Sequence, residues 1–304
     1  MILEPECIGC LFTQMLKAFK IVKPDVSRDL VISAQKKLMK FLLDSNINEI
    51  AAPIVGKFLY RLVAETINVE DPYRKQKKEY NNLALAYYDD TKKIVKNADD
   101  PLFEAIAASA IGNTIDFAAQ HEIDLINDLK NFTPQNFSIN HYDDFRKELN
   151  KLAKLEGTLL ILGDNTGEIV FDKLLVETIK EIYPNLEIVY AVRSAPVIND
   201  STMEDAEEIG LAKIVKVIES CPVPGIDLKS ATEEFKKYFY DENGFILSKG
   251  QGNFETLHNP DQPSNHELPD KNIYYLLKAK CNLMERIFNC AKGDLIFKQS
   301  SLTP

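Results

Sequence analysis

The sequence predicts an α/β fold with a helical N-terminal half and a mainly parallel sheet in the C-terminal half. Between about residues 8 and 155, apolar residues recur at three- and four-residue steps, which is the periodicity of amphipathic helices. From about residue 156 onward, short apolar runs alternate with helical stretches, an alternation typical of parallel sheets. We therefore expect a helical region over residues 1–155 and an α/β domain, carrying the functional site, over residues 156–304.

The helical region contains long amphipathic segments at residues 30–43, 54–63 and 101–110. It shows almost none of the β-branched alternation that marks strands. Prolines lie at intervals that suit helix starts, where a missing backbone N–H costs little, at Pro24, Pro53, Pro72 and Pro101. The region is interpreted as a helical domain or cap.

Six short apolar runs in the second half are predicted strands, and helices fit between most of them. The first two are Thr158–Leu162 and Glu187–Val192, and the others span residues 213–218, 245–248, 273–277 and 294–297. Continuous apolar runs of this length are typical of strands buried on both faces. Because the carboxyl ends of parallel strands lie at one edge of a sheet, polar residues that follow these strands are expected to meet.

Composition and charge argue against several classes of protein. The chain is 45% hydrophobic and 27% charged, and no apolar run reaches the length of a membrane helix. A net charge of −10 argues against broad nucleic-acid binding, because clustered Lys and Arg supply that affinity. The acidic N-terminus lacks the basic start of a secretory signal, and five cysteines, an odd number, argue against a disulfide framework. We expect a cytoplasmic protein without a nucleic-acid or membrane partner.

Three oxygen-bearing side chains follow the first two predicted strands. Asp164 and Asn165 come soon after the first strand, and Asp200 lies beyond the second. Oxygen ligands without a nearby His suit Mg²⁺ or Mn²⁺ better than a structural zinc. The alternative is that each of the three only caps the helix that follows it. Their expected convergence on one sheet edge favours the metal site.

Two further strand ends carry residues suited to an anion. Gly250-Gln-Gly-Asn-Phe-Glu255 follows the fourth predicted strand, and its glycines would let backbone N–H groups approach a phosphate. The alternative is a simple change of chain direction, since the run matches neither the P-loop nor the dinucleotide fingerprint. Lys280 follows the fifth predicted strand and could either contact a phosphate oxygen or extend into solvent.

Polar residues also interrupt the apolar faces of the predicted helices. Asn113 and Asp116 lie three residues apart on one helix face, where they either point into the site or form hydrogen bonds within a helix contact. Lys77 and Asn81, which follow Asp71-Pro-Tyr73, interrupt another helical face in the same way.

The spacing Cys7-Ile-Gly-Cys10 occurs in metal and redox sites, but one such pair in a helical context does not make a zinc site. A functional role for this pair is the minor alternative. Buried small hydrophobic side chains are the default interpretation of the other three cysteines.

Together these motifs resemble the DUF89 family of metal-dependent damage-control phosphatases, whose relatives include the ARMT-like proteins. The similarity spans nearly the whole chain and is closest to the compact prokaryotic branch. The segments that carry it are Cys7-x-x-Cys10, Asp71-Pro-Tyr73, Gly112-Asn-Thr-Ile-Asp116, Gly163-Asp-Asn-Thr-Gly-Glu168, Pro196-Val-Ile-Asn-Asp200 with the following Ser-Thr-Met-Glu-Asp205, Gly250-Gln-Gly-Asn-Phe-Glu255 and Lys278-Ala-Lys-Cys281.

The resemblance implies a helical N-terminal region packed on a three-layer α/β/α Rossmann-like domain, with one divalent metal ion at the carboxyl edge of the sheet. Asp164, Asn165 and Asp200 would be the ligands of Mn²⁺, Co²⁺, Ni²⁺ or Mg²⁺. The residues expected to contact the substrate phosphate are Asn113, Asp116, Gly250, Gly252, Asn253 and Lys280.

The expected activity is hydrolysis of small phosphate monoesters, either sugar phosphates or damaged phosphometabolites. Asp164 or Glu168 would act as the base, and a covalent route through Asp164 is an alternative, although the chain lacks the Asp-x-Asp pairing of haloacid-dehalogenase-like phosphatases. Two other functions stay open: a carboxyl methyltransferase that uses S-adenosylmethionine, and a non-catalytic protein that binds a phosphometabolite.

Overall fold

The computed structural model describes residues 1–112, 125–258 and 272–301 of the chain. Short 3₁₀ turns lie at Pro134–Asn136 and Leu211–Lys213. The α-helices in these residues are α1 Pro5–Val22, α2 Arg28–Asp44, α3 Ala52–Ile67, α4 Arg74–Asn97, α5 Pro101–Gly112, α6 Leu125–Lys130, α7 Tyr142–Lys154, α8 Glu168–Ile182, α9 Met203–Glu208, α10 Glu233–Phe239, α11 Gln251–Leu257 and α12 Asn282–Phe288.

The strands form a seven-stranded sheet in the order β1-β7-β6-β5-β2-β3-β4. Strands β2 to β6 run parallel to one another, β7 is antiparallel to β6, and β1 is parallel to β7. The predicted α/β fold with a mainly parallel sheet is therefore confirmed. The strands are β1 Phe137–Asn140, β2 Thr158–Leu162, β3 Glu187–Val192, β4 Lys216–Glu219, β5 Gly244–Lys249, β6 Ile273–Lys278 and β7 Leu295–Gln299.

The largest differences from the sequence-based prediction are at strands β4 and β1, whereas β5, β6 and β7 differ from their predicted bounds by one or two residues at an end. The strand predicted at residues 213–218 is wrong at its start, because Leu211–Lys213 forms a 3₁₀ turn and β4 begins at Lys216. Strand β1 was not predicted, because it is only four residues long and Ser138 within it is exposed. The expectation that residues 8–155 are wholly helical is therefore wrong at β1, while a division between residues 155 and 156 stays a prediction.

The sheet lies between two helical layers, as expected for an α/β/α sandwich. Side chains along β2 alternate between the two faces: Leu159 and Ile161 pack with residues of α4, α5, α7 and α8, whereas Leu160 and Leu162 pack with residues of α10, α11 and α12. All of β2 is buried, which explains why its sequence is a continuous apolar run.

The first three helices form a separate apolar cluster that includes Met15 of α1, Leu38 of α2 and Leu59 of α3, each 0% exposed. Pro53 and Pro101 lie in the first turns of α3 and α5, as predicted, whereas Pro24 and Pro72 lie in the turns before α2 and α4. Among the described residues, no helix combines the length and apolar character needed to cross a membrane.

Phe145 of α7 is 0% exposed, and its ring packs against Phe245 of β5, Tyr274 of β6 and Phe297 of β7. Phe145→Ala should lower the free energy of unfolding by about 3–5 kcal/mol, since it leaves a cavity among these rings. Chemical denaturation measures the loss. Leu155→Ala, at a position that is 65% exposed, is the control and should change stability by less than about 0.5 kcal/mol. Equal effects of the two variants would contradict this packing.

Candidate active site

The candidate site lies where the loops after β2 and β5 diverge. The chain proceeds from β2 to β3 on one side, while β5 pairs with β2 on the other, so the strand order reverses between β2 and β5. Open α/β sheets bind ligands in the crevice at such a point, outside the carboxyl ends of the strands. Asp164 follows β2 here and Gly250 follows β5.

The loops that carry the three predicted metal ligands pair directly with each other. Asn165 and Asp200 form an isolated antiparallel bridge. The Ser201 N–H donates to the Asp164 carbonyl at 2.8 Å, and the Thr166 N–H donates to the Asn199 carbonyl at 2.9 Å. The structure therefore brings Asp164, Asn165 and Asp200 together, as expected from their positions at neighbouring strand ends.

None of these three residues is a helix cap, which was the alternative interpretation. The N-cap of α8 is Gly167, with φ of 80°, and the N-cap of α9 is Thr202. Asp205 makes the capping interaction for α9, since one of its oxygens accepts from the Thr202 N–H at 2.9 Å. The side chains of Asp164, Asn165 and Asp200 are thus available for another role.

Arg193, which directly follows β3, is a buried counter-ion of the two carboxylates. It is 2% exposed; its Nε donates to Asp200 Oδ2 at 2.6 Å, and its Nη2 lies 3.7 Å from Asp164 Oδ1. Its Nη1 donates to the Gly225 carbonyl at 2.7 Å, whereas Nη2 is buried without a hydrogen-bond partner. Arg193 was not among the predicted site residues, although it directly follows the predicted strand Glu187–Val192.

Burial raises the pKa values of both carboxylates. Burial, followed by the neighbouring charge of Asp200, raises the pKa of Asp164 to about 6. Burial also raises the pKa of Asp200, although Arg193 opposes the shift. The Asn165 Nδ2 donates to Asp164 Oδ2 at 2.7 Å, which offsets part of the cost of burying that carboxylate.

A second buried cluster lies behind the first, around Lys249 at the end of β5. Lys249 is 0% exposed and donates to Glu168 Oε1 at 2.5 Å, to Asp172 Oδ1 at 2.6 Å and to Ser109 Oγ at 2.7 Å. Asp172 also accepts hydrogen bonds from Ser109 Oγ at 2.6 Å and Tyr190 Oη at 2.7 Å. The cluster joins α5, α8, β3 and β5 beneath the site.

Glu168 was predicted as a possible base, and it is the least well satisfied member of this cluster. Burial, opposed by Lys249, raises its pKa to about 7. Its Oε1 accepts from Lys249, while its Oε2 is buried without a hydrogen-bond partner. A carboxyl group with a pKa close to neutral can both accept and release a proton at physiological pH.

The donor set fits a divalent cation. Four carboxylates are buried in the two clusters, those of Asp164, Asp200, Glu168 and Asp172. Within residues 1–112, 125–258 and 272–301, the cations that are buried in contact with them are Arg193 and Lys249. When all are ionised, two negative charges stay unbalanced, and buried charges without partners are costly. In the part of the chain that the structure describes, no group of three or more His, Cys, Asp or Glu side chains could hold a metal ion, so an ion here would also need the Asn165 carboxamide.

The loop that begins at Gly250 closes over Asp164. Gly250 has φ of 80°, and a Cβ placed there would lie 2.0 Å from Asp164 Oδ2, so only glycine fits. Gly252 is equally constrained, since its Cβ would lie 2.2 Å from the Pro224 carbonyl oxygen. The Gly250 N–H donates to the Leu276 carbonyl at 3.0 Å.

Asn253 and Lys280 occupy different environments in the structure. Asn253 is 0% exposed; its Nδ2 donates to the carbonyls of Lys249 at 2.8 Å and Gly163 at 3.2 Å, which ties the two loops together, and its Oδ1 has no partner. Lys280 is exposed, and its charge lowers the pKa of both Asp164 and Asp200, which places it beside the site. Contacts of Gly250, Gly252, Asn253 and Lys280 with phosphate stay predictions.

Residues 3–296 match the family model described as the damage-control phosphatase ARMT1-like domain. The chain belongs to this family. The resemblance to DUF89 proteins drawn from the sequence motifs is thereby confirmed. Because the match begins at residue 3, it includes the helical region as well as the sheet.

Two damage-control phosphatases and one solved DUF89 structure are similar to this DUF89 chain over almost its whole length. A damage-control phosphatase from Pyrococcus horikoshii is 33% identical over 96% of this chain and 96% of its own, and one from Archaeoglobus fulgidus is 31% identical over 97% and 98%. The crystal structure of a DUF89 family protein from Pyrococcus horikoshii superposes with a TM-score of 0.81 at 28% identity, covering 99% of this chain and 100% of that one. The two folds are therefore alike from end to end.

Four other candidate residues of this DUF89 protein lie apart from the two clusters or outside the described part. Asn113 and Asp116 lie outside the described residues, so their roles stay predictions. Cys7 and Cys10 lie on α1, and all five cysteines are free. Burial raises the pKa of the Cys7 thiol to about 11, which disfavours the reactive thiolate form at neutral pH.

The raised pKa of Asp164 predicts a pH-dependent stability cost in the metal-free protein. Above pH 4 the unfolded chain releases this proton first, so the cost grows as the pH rises through about 6. Asp164→Asn removes the charge, and its free energy of unfolding relative to the original protein should improve by about 1 kcal/mol or more between pH 5 and pH 8. Urea denaturation in EDTA at the two pH values measures this.

The control for the stability measurement is Asp44→Asn, at an exposed position of α2, which should change the free energy of unfolding by less than about 0.5 kcal/mol. A pH-independent difference for Asp164→Asn would contradict the raised pKa.

Gly250→Ala should displace the Asp164 carboxylate, because the added Cβ would overlap it and the φ of 80° disfavours any other residue. We expect Mn²⁺ to bind about 10-fold or more weakly to the variant in a calorimetric titration. Gly9→Ala on α1, where an added Cβ meets nothing within 4 Å, is the matched control and should bind Mn²⁺ normally. Unchanged Mn²⁺ affinity in Gly250→Ala would show that Asp164 is not a ligand.

Proposed function

We propose that this protein is a divalent-metal-dependent phosphatase that hydrolyses small phosphate monoesters, either sugar phosphates or damaged phosphometabolites. The observation that carries the proposal is the pairing of the Asp164 and Asp200 loops at the strand-order reversal, with buried carboxylates in excess of buried cations. The expectation of a phosphatase is confirmed by the family match and by the relatives named damage-control phosphatases. The metal dependence rests on the donor set alone.

The Asp164, Asn165 and Asp200 side chains would hold one Mn²⁺, Co²⁺, Ni²⁺ or Mg²⁺ ion, because all three offer hard oxygen ligands. Such an ion supplies positive charge that polarises a phosphoryl oxygen. It would also balance the two buried negative charges that Arg193 and Lys249 do not neutralise. That balance would explain how the site accommodates four buried carboxylates.

The protein's own groups would divide the remaining work of phosphoryl transfer. Lys280, whose charge reaches both Asp164 and Asp200, would attract the substrate phosphate and bind one of its oxygens. Glu168, with a pKa of about 7, is suited to take the proton of the attacking water. Asp164 is less suited to that role as long as it serves as a metal ligand.

A cytoplasmic location is part of the proposal. All five cysteines are free in the structure, and unpaired cysteines are typical of proteins in reducing compartments.

Small phosphorylated metabolites, the substrates proposed for this site, are negatively charged. The excess of buried carboxylates would repel them without a metal ion and Lys280.

The proposal predicts that phosphate release from a panel of sugar phosphates requires a divalent ion. EDTA should abolish it, and added Mn²⁺, Co²⁺, Ni²⁺ or Mg²⁺ should restore it. Asp164→Ala and Asp200→Ala should each lower kcat/KM at least about 100-fold, because the ion contributes several kcal/mol to the transition state. Asp44→Ala, which removes an exposed carboxylate on α2, should retain full activity.

Full turnover in excess EDTA, or in either Asp variant, would contradict the metal mechanism. Binding measurements on the same purified protein distinguish the two alternative functions. Saturable binding of S-adenosylmethionine in calorimetry would support the methyltransferase, and binding of sugar phosphates without release of phosphate would support a non-catalytic role.

A further inference from the structure

Asn81 of α4 uses both ends of its carboxamide to hold two segments that adjoin the predicted metal ligands, the residue before α8 and the first turn of α9. It is 1% exposed. Its Oδ1 accepts from the Gly167 N–H at 2.8 Å, and its Nδ2 donates to Asp205 Oδ1 at 3.1 Å. Gly167 lies just beyond Asn165 in the loop after β2, and Asp205 lies just beyond Asp200 in the segment after β3. One side chain from the helical region therefore bridges both segments.

Asp205 is fixed from several sides, so the bridge is rigid at that end. Its Oδ2 accepts from the Thr202 N–H at 2.9 Å, the Thr202 Oγ1 at 2.8 Å and the Lys77 Nζ at 3.3 Å. Lys77 is 4% exposed and also lies 3.2 Å from Asp71 Oδ2. A carboxylate with this many donors has little freedom to move.

Gly167 fixes the other end of the bridge. It is the N-cap of α8 and has a φ of 80°. Its N–H donates to Asn81. Any shift of this residue would move Asn165 two positions before it. Because Asn165 and Asp200 are bridged directly, the carboxamide of Asn81 closes a loop of contacts around the predicted ligands.

We infer that Asn81 is a positioning residue for the metal site: it sets the spacing of the ligand loops, and Lys77 holds Asp205 in place for it. The inference rests on the proposed metal site. Residues that orient metal ligands without touching the ion typically contribute about 10- to 100-fold to metal affinity. The helical region thus determines the metal affinity of a site whose ligands all come from the sheet domain.

The experiment measures Mn²⁺ affinity by calorimetric titration of the full-length, metal-stripped protein. Asn81→Asp keeps the size and an acceptor for the Gly167 N–H but sets a carboxylate against Asp205, and Asn81→Ala removes both contacts. Each should bind Mn²⁺ about 10-fold or more weakly. Lys77→Met, which keeps most of the aliphatic stem, should weaken binding in the same direction.

Two controls separate positioning from a general loss of stability. Arg74→Ala removes an exposed ion pair between α4 and α9, the helices that also carry Asn81 and Asp205. In this pair Arg74 Nη2 lies 2.6 Å from Glu204 Oε1. Phe145→Leu weakens the core far from the loops. Both should bind Mn²⁺ within about twofold of the original protein, even where the melting temperature falls.

A folded Asn81 variant, judged by circular dichroism, whose Mn²⁺ dissociation constant stays within twofold of the original would overturn the inference and leave the proposed function intact. Equal weakening in Phe145→Leu would also overturn it, since affinity would then follow stability. Absence of Mn²⁺ binding in the original protein would overturn the metal site itself and this inference with it. If Asn81→Ala does not fold, Asn81→Asp and Lys77→Met decide the outcome.

Discussion

The burial of four carboxylates with two cations at one sheet edge is the constraint on which the rest of the site depends. Charges removed from water are costly unless hydrogen bonds and opposite charges replace the lost solvation. The structure meets this requirement unevenly. Asp172 accepts three hydrogen bonds, and Asp200 accepts a short one from Arg193, while Asp164 has one amide donor and a distant guanidinium. Of the two carboxylates in the first cluster, Asp164 is therefore the one that a bound cation would stabilise more.

The helical region, which the family match also covers, contributes side chains to the second cluster and to the segment beside the first. Ser109 of α5 contacts both Lys249 and Asp172, and Asn81 and Lys77 of α4 contact the segment at Asp205. These side chains reach the sheet edge because α4 and α5 pack on α8, the helix that starts in the site. The helices are thus part of the electrostatic structure of the site and do more than cover the sheet.

The sequence predicted correctly those features that are encoded by residues close together in the chain. Strands β2 and β3 have their predicted bounds, because buried strands give continuous apolar runs, and the predicted ligands lie in the loops that follow these strands. The Lys249 cluster could not be found this way, since Ser109 and Lys249 are 140 positions apart. One local signal was available: Glu168 and Asp172 are four residues apart in the mostly apolar first half of α8, so both lie on one face of that helix. Strand β1 gave no signal because it is short and partly exposed.

The pKa values of Asp164 and Glu168 are both raised, but different changes would lower them, and this difference bears on their proposed roles. Asp164 is perturbed by burial and then by Asp200, so a divalent ion between the two would remove the repulsion and keep both ionised. Glu168 is perturbed mainly by burial and already lies against Lys249, so an ion at the Asp164 loop changes its surroundings less. A ligand must stay ionised throughout the reaction, whereas a base must change its protonation state. The environment of Asp164 therefore suits a ligand, and that of Glu168 suits a proton carrier.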